Sequence, residues 1–138
     1  MANHIVRPLI GERYVLGHAT IDLDHMAIAD CWYRAVNCEQ IQFPLLIARL
    51  KKVMRDHFDR EAALMERAGG ALCRCHRLEH QTLLDLCNDA NDLSQTNWRK
   101  SQSLLQRKLP KLVREHILFT DQLAVLFLNT NGAIAATC

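Results

Sequence analysis

Residues 57–80, HFDREAALMERAGGALCRCHRLEH, join two stretches in which apolar side chains recur at helical spacing. The paired glycines Gly69 and Gly70 between these stretches are typical of a helix C-terminus, because glycine adopts the left-handed conformation without strain. We therefore predict one helix from about Pro44 to the glycines and another over residues 72–91. The connection between them is short, as it is between neighbouring helices of a bundle.

Two further helices are predicted on either side of this pair. The first begins near Asp22, whose carboxylate suits a helix N-terminus, and ends by Cys38. The last occupies much of residues 98–128, where Pro110 either kinks the helix or splits off its first part. No stretch alternates with the period of a strand, so the predicted fold class is all-α, a four-helix bundle.

One domain is the simplest organisation for the chain. Its 138 residues, 49% hydrophobic and 23% charged, have the size and composition of one globular domain, and no internal repeat or linker is visible. We divide the chain into an N-terminal arm (1–20), the bundle (21–129) and a C-terminal tail (130–138).

The net charge, the length of the apolar runs and the first residues indicate the expected partners and location. A net charge of +2, with basic and acidic residues interspersed, is too mild for nucleic-acid binding. No apolar run approaches the roughly 20 residues that cross a bilayer, and the first residues lack the basic-then-apolar order of a secretion signal. We expect a cytoplasmic protein with neither nucleic acid nor membrane as partner.

The cysteines are expected to be thiols in this reducing compartment. Cys31, Cys38 and Cys87 lie among apolar residues and are predicted to fill the core, whereas Cys138 is predicted to be exposed and free. His4 and His18 are interpreted as ordinary surface residues.

Histidines and carboxylates recur on every predicted helix. Residues four apart on a helix differ in direction by about 40°, so His57 projects beside Glu61, and His76 projects beside His80. Such pairs also occur on exposed helices, and neither pair alone identifies a ligand. His25 lies on the first helix, and His116 and Asp121 lie on the fourth. The last two are five residues apart, roughly 140° around an ideal helix, and are predicted to reach a shared centre from two sides.

Taken together, five histidines and two carboxylates exceed the needs of one tetrahedral zinc ion. Two iron ions that share bridging carboxylates would use all seven groups, so the count favours a dinuclear centre in the bundle core. Asp59, Glu66 and Glu79 fall off the two ligand faces and are predicted to be solvated charges.

The order of these groups resembles the haemerythrin family in its bacterial single-domain form. The matching motifs are IDLDH (21–25), HFDRE (57–61), HRLEH (76–80) and HILFTD (116–121), with Met65 and Ile117 as supporting positions. They span nearly the whole chain. The resemblance implies an up-down-up-down bundle around two non-haem iron ions with an oxo or hydroxo bridge.

The resemblance also implies a role for each of the seven residues. His76, His80 and His116 would hold one iron, His25 and His57 would hold the other, and Glu61 and Asp121 would bridge the two. The iron with two histidines keeps an open position, and in the family this position binds dioxygen reversibly.

The sequence departs from the family at three places. Gly70 and Ala71 replace a usual Tyr-Pro pair, which predicts a looser start to the third helix. Leu112 and Val113 replace a Trp-Leu pair that flanks the oxygen pocket, which predicts extra space there that water can enter. Cys73 and Cys75 precede His76, and they are either inert thiols or redox-sensitive thiols.

The sequence is compatible with three functions. The first is reversible binding of dioxygen for storage, delivery or sensing. The second is a di-iron enzyme that reduces peroxide, nitric oxide or dioxygen, which would need a separate reductase. The third is signalling through a separate partner, because no output domain follows the bundle.

Overall fold

The computed structural model describes residues 7–134, with side chains through residue 130. All regular structure within that range is helical. A 3₁₀-helical turn lies at Glu12–Tyr14, and a π-helical turn lies at His116–Asp121. The α-helices are α1 (Ala19–Asn37), α2 (Phe43–Arg67), α3 (Arg74–Ser94), α4 (Trp98–Arg107), α5 (Leu109–Glu115) and α6 (Gln122–Ile134).

The helices form a four-membered bundle. Helices α1, α2 and α3 are three of its arms, and α4, α5, the π-helical turn and α6 follow one another along the fourth arm. Consecutive arms pack together, and α4 returns against α1. Trp32 on α1 donates its indole N–H to the carbonyl of Leu105 on α4 at 2.9 Å, which ties the first arm to the last. The predicted all-α four-helix bundle is confirmed.

The start of α1 differs from the prediction by three residues. His18 is the N-cap, and its Nδ1 accepts the backbone N–H of Ile21 at 3.4 Å. Asp22 lies in the first turn, where its carboxylate accepts the N–H of Leu16 at 2.8 Å. The Asp22 side chain therefore holds the preceding loop against α1 instead of starting the helix.

The turn between α2 and α3 follows the prediction at its glycines. Gly69 has φ +85°, and the N–H of Gly70 bonds to the carbonyl of Met65 at 2.9 Å, which closes the last turn of α2. A Cβ atom on Gly70 would lie 2.6 Å from the ring of Phe127. The missing side chain thus permits close packing of this turn on α6.

Pro110 splits the fourth arm. Helix α4 ends at Arg107, and Pro110 lies in the first turn of α5, where its missing N–H has no helical acceptor to lose. Helix α6 extends to Ile134, beyond the predicted end of the bundle. The predictions for His4 and Cys138 lie outside the described residues.

The arm before α1 contributes to the core. Leu9 is buried, and Arg114 on α5 donates to its carbonyl at 2.7 Å. Cys31 and Cys87 are buried thiols, as predicted, and Cys38 is half-buried. Among the described residues, no helix combines the length and the apolar character that a membrane span needs.

Candidate metal centre

Ionisable side chains from all four arms are buried together at the centre of the bundle. Such groups are seldom buried without partners, because water solvates their charges far better than apolar surroundings do. None of them is more than 6% exposed. They are His25 on α1, His57 and Glu61 on α2, His76 and His80 on α3, and His116 and Asp121 on the π-helical turn.

Three histidines and one carboxylate form the larger of two clusters. His76, His80, His116 and Asp121 each offer one ligand atom, and these four atoms lie within 4.8 Å of one another. The Nε2 atoms of His76 and His116 lie 3.1 Å and 2.9 Å from Oδ1 of Asp121. Imidazole nitrogen and carboxylate oxygen together are a donor set that suits iron or zinc.

The smaller cluster shares its carboxylate with the larger one. His25, His57 and Asp121 offer ligand atoms that also lie within 4.8 Å of one another. Oδ2 of Asp121 lies 2.9 Å from Nε2 of His25, whereas Oδ1 faces the larger cluster. Asp121 therefore directs one oxygen atom toward each group of histidines.

Glu61 makes a similar link between the two clusters. Its Oε2 lies 3.2 Å from Nε2 of His57, and its Oε1 lies 2.5 Å from Nε2 of His76 and 3.8 Å from Nε2 of His80. The structure thus brings all seven predicted residues together. Three histidines lie on one side and two on the other, with the two carboxylates between them.

The inward-facing atoms of this centre approach one another closely, yet most of them make no hydrogen bond. A buried polar atom without a partner costs roughly 1–3 kcal/mol, so this arrangement needs another source of stabilisation. Metal ions would satisfy converging lone pairs of this kind, and the residues present fit such ions. The atoms are Nε2 of His57, His76, His80 and His116, both carboxylate oxygens of Glu61, and Oδ1 of Asp121.

The prediction that His116 and Asp121 point in different directions is wrong. The turn that contains them is π-helical, with hydrogen bonds from residue i to residue i+5, so residues five apart lie on the same face. Their ligand atoms are consequently only 2.9 Å apart. The five-residue spacing of His116 and Asp121 was the available signal for this turn, because a π-helical turn holds one more residue than an α-helical turn.

The electrostatics of the centre favour a cation. Burial raises the pKa values of Glu61 and Asp121, but the close imidazoles outweigh burial and hold both pKa values below the ordinary range. Burial lowers the pKa of His57 and His76, yet the neighbouring carboxylates raise it to about 9 and about 10. At His80 burial outweighs the more distant carboxylates, and its pKa falls to about 3. Both carboxylates are therefore ionised, and metal binding would displace protons from His57 and His76.

Two carboxylates outside the seven residues hold ring nitrogens that face away from the centre. Oδ2 of Asp24 accepts from Nδ1 of His57 at 3.0 Å, and Oε1 of Glu79 accepts from Nδ1 of His116 at 2.8 Å. Thr120 donates its hydroxyl to Glu79 at 2.8 Å. Because each Nδ1 donates its proton outward, each Nε2 is the nitrogen that faces inward and would bind a metal once its own proton is displaced.

Glu79, predicted to be a solvated charge, is about half-exposed and also bonds to His116 and Thr120, so this prediction holds only in part, whereas Asp59 and Glu66 are exposed, as predicted. No role was predicted for Asp24, although it directly precedes His25. Each of these carboxylates bonds to a histidine of another helix, and the only sequence signal was its position within a ligand motif, IDLDH (21–25) or HRLEH (76–80).

A small cavity of about 10 Å³ adjoins the smaller cluster. That volume is at the lower limit for one water molecule, so the space beside Val113 is small. Val113 lines this cavity, but Leu112 lines an open groove with Glu79 and Phe119. The cavity is lined by His25, His57, His116, Asp121 and the apolar side chains of Ile28, Met54, Phe58, Leu83, Val113 and Ile117.

Cys73 and Cys75 lie at the start of α3. Cys73 is the N-cap, and its Sγ accepts the backbone N–H of His76 at 3.4 Å. Both cysteines are exposed and free. The thiol of Cys73 is therefore linked to the backbone of His76 by a hydrogen bond.

Comparison with known proteins finds one informative relative. Over 121 residues the chain is 25% identical to a protein of Ralstonia nicotianae named Bacteriohemerythrin, and the match covers 88% of each chain. This chain is similar to a bacteriohemerythrin. No family model matches it, and no solved structure matches it significantly. The distant likeness and the buried cluster of histidines and carboxylates together support a haemerythrin-like protein that binds metal.

Proposed function

We propose that the protein binds dioxygen reversibly at a pair of non-haem iron ions, for oxygen storage, delivery or sensing. The observation that carries the proposal is the placement of Glu61 and Asp121, each with one oxygen toward each histidine cluster. Bridging carboxylates of this kind serve two metal ions rather than one. The similarity to a bacteriohemerythrin supports the same function.

The two clusters would divide the ligands unequally between the irons. His76, His80 and His116 would hold one iron, and His25 and His57 would hold the other. Glu61 and Asp121 would bridge both irons, together with an oxo or hydroxo group. When bound, the iron pair supplies an open coordination position and the electrons that dioxygen needs.

The protein's own contribution is a dry, narrow site. Side chains such as Ile28, Phe58 and Val113 line the cavity with apolar surface, and the ring of Phe58 stacks on His80 at 3.8 Å between ring centroids. A cavity of about 10 Å³ is far smaller than the pockets that hold organic substrates. The site therefore favours a diatomic ligand and keeps bulk water from the iron pair.

A di-iron reductase is the second candidate, because the same cavity suits peroxide and nitric oxide as well as dioxygen. The test is repeated oxygenation of the reduced, iron-loaded protein, followed by absorption spectroscopy. We expect the oxygenated spectrum to form and to revert when dioxygen is removed. Continuous consumption of an external reductant would instead identify an enzyme, and no spectral response at all would contradict both candidates.

Asp121→Ala and Asp59→Ala form a matched pair for this test. Both substitutions remove one carboxylate, but Asp121 is buried at the centre and Asp59 is exposed on α2. We expect the first to abolish the oxygen response and the second to preserve it.

We also propose a cytoplasmic location and a separate reductase or signalling protein as partner, rather than nucleic acid or a membrane. The location rests on the free thiols among the described residues, which are typical of a reducing compartment, and the exclusion of nucleic acid rests on the mild net charge of +2. Fractionation of cells that express the protein tests the location, and recovery in the membrane fraction would contradict it.

A further inference from the structure

Asp24 occupies the seam between α1 and α2 and accepts hydrogen bonds from two side chains of α2. Its Oδ2 accepts from Nδ1 of His57 at 3.0 Å and from Nε of Arg60 at 2.9 Å, while its Oδ1 accepts from Nη2 of Arg60 at 2.9 Å. The Asp24 side chain is only 14% exposed, and that of Arg60 is 48% exposed. The carboxylate is therefore held in one orientation by a two-pronged contact with the guanidinium group.

This arrangement fixes the ring of His57. Because a carboxylate accepts the Nδ1–H, Nε2 faces the opposite way, toward the centre, where it lies 3.2 Å from Oε2 of Glu61. A negative partner on Nδ1 makes Nε2 a stronger electron donor. Arg60 partly neutralises Asp24 and so limits that effect.

We propose that Asp24 and Arg60 are a positioning pair that orients His57 toward the metal centre and sets how strongly its Nε2 donates to iron. The inference rests on the proposed iron pair. A positioning pair differs from a simple tie between α1 and α2 in one respect. Because the two residues carry opposite charges, they shift the midpoint potential of the iron in opposite directions.

Two substitutions of Asp24 separate orientation from charge. Asp24→Ala leaves the Nδ1 of His57 without its acceptor, and we expect iron to be lost to a chelator ~10-fold faster or more, as for other partners of metal-bound histidines. Asp24→Asn keeps an acceptor oxygen of similar geometry but removes the charge. We expect iron retention close to wild type and a higher midpoint potential, because a nearby negative charge stabilises ferric iron.

Arg60→Leu should shift the midpoint potential in the opposite direction. It removes the positive charge that offsets Asp24, so we expect the midpoint potential to fall. The shift should be smaller than in Asp24→Asn, because Arg60 is half exposed and solvent screens its charge. Asp30→Asn and Arg34→Leu are matched controls, since these exposed residues also form an ion pair, but within α1 and away from the centre.

The experiment is spectroelectrochemical titration and chelator challenge of the iron-loaded full chain and these variants, with thermal unfolding as a check on folding. Opposite shifts in Asp24→Asn and Arg60→Leu, with neither control moving the potential, would support the proposal. Lower unfolding temperatures in both variants with an unchanged potential would reduce the pair to a structural tie and overturn it. Failure of the wild-type chain to bind iron would overturn the proposed function and this inference together.

Discussion

At the scale of single residues, Val113 limits the space beside the smaller histidine cluster. Val113→Ala removes two methyl groups from the wall of a cavity of about 10 Å³, so water gains room there. We expect the oxygenated iron-loaded form to autoxidise several-fold faster in this variant. Val113→Leu should instead overpack the core and lower the free energy of unfolding by roughly 1–3 kcal/mol. Stopped-flow decay rates and chemical denaturation measure the two effects.

Leu112→Ala is the matched control, because Leu112 lines the outer groove rather than the cavity. Its autoxidation rate should stay near that of the wild-type protein. Equal rates in Val113→Ala and wild type would show that volume at this position does not control access of water to the centre.

Helical spacing alone paired His57 with Glu61 and His76 with His80 before any packing was known. The count of candidate ligands and the resemblance to the haemerythrin family added His25, His116 and Asp121 to the predicted set. Asp24 and Glu79 could not be found in this way. Each bonds to a histidine on a neighbouring helix, and such a partner depends on how the helices are rotated against each other.

At the scale of helices and turns, Cys73 is a weak N-cap for α3. A thiol accepts hydrogen bonds poorly, whereas a serine hydroxyl is among the preferred N-cap acceptors. We expect Cys73→Ser to raise the free energy of unfolding by roughly 0.5–1 kcal/mol relative to Cys73→Ala. Chemical denaturation of the two variants measures the difference.

Cys75→Ser is the control for this prediction, because Cys75 is exposed within the first turn of α3 and does not cap it. Its stability should change little. A Cys73→Ser variant no more stable than Cys73→Ala would show that the 3.4 Å contact with the N–H of His76 does not cap the helix. A redox role for the two thiols stays a separate prediction, which iron retention under peroxide would test.

A turn was predictable from the sequence where one residue type determines its conformation, and the glycine pair that ends α2 is the clearest case. The π-helical turn at His116–Asp121 was not predictable from spacing on an ideal α-helix. Two side chains of that turn, His116 and Asp121, meet the other arms at one centre. The split at Pro110 was one of two predicted outcomes, and packing of α5 against α3 accompanies it.

At the scale of the whole molecule, the bundle and the centre depend on each other. Each arm supplies at least one of the seven buried groups, so the site exists only when all four arms are assembled. A cation bound there would in turn stabilise the folded state by mass action. The all-α class followed from the sequence because periodicity is a local property. The arm before α1 was underestimated because Leu9 joins the core and bonds to Arg114 through contacts far apart in the sequence.

Metal stoichiometry tests the central claim most directly. Native mass spectrometry after anaerobic iron loading should show two iron ions per chain. Glu61→Ala should lose both ions, because its carboxylate serves both clusters, whereas His25→Ala should lose mainly one. A single zinc or iron ion per wild-type chain would contradict the account.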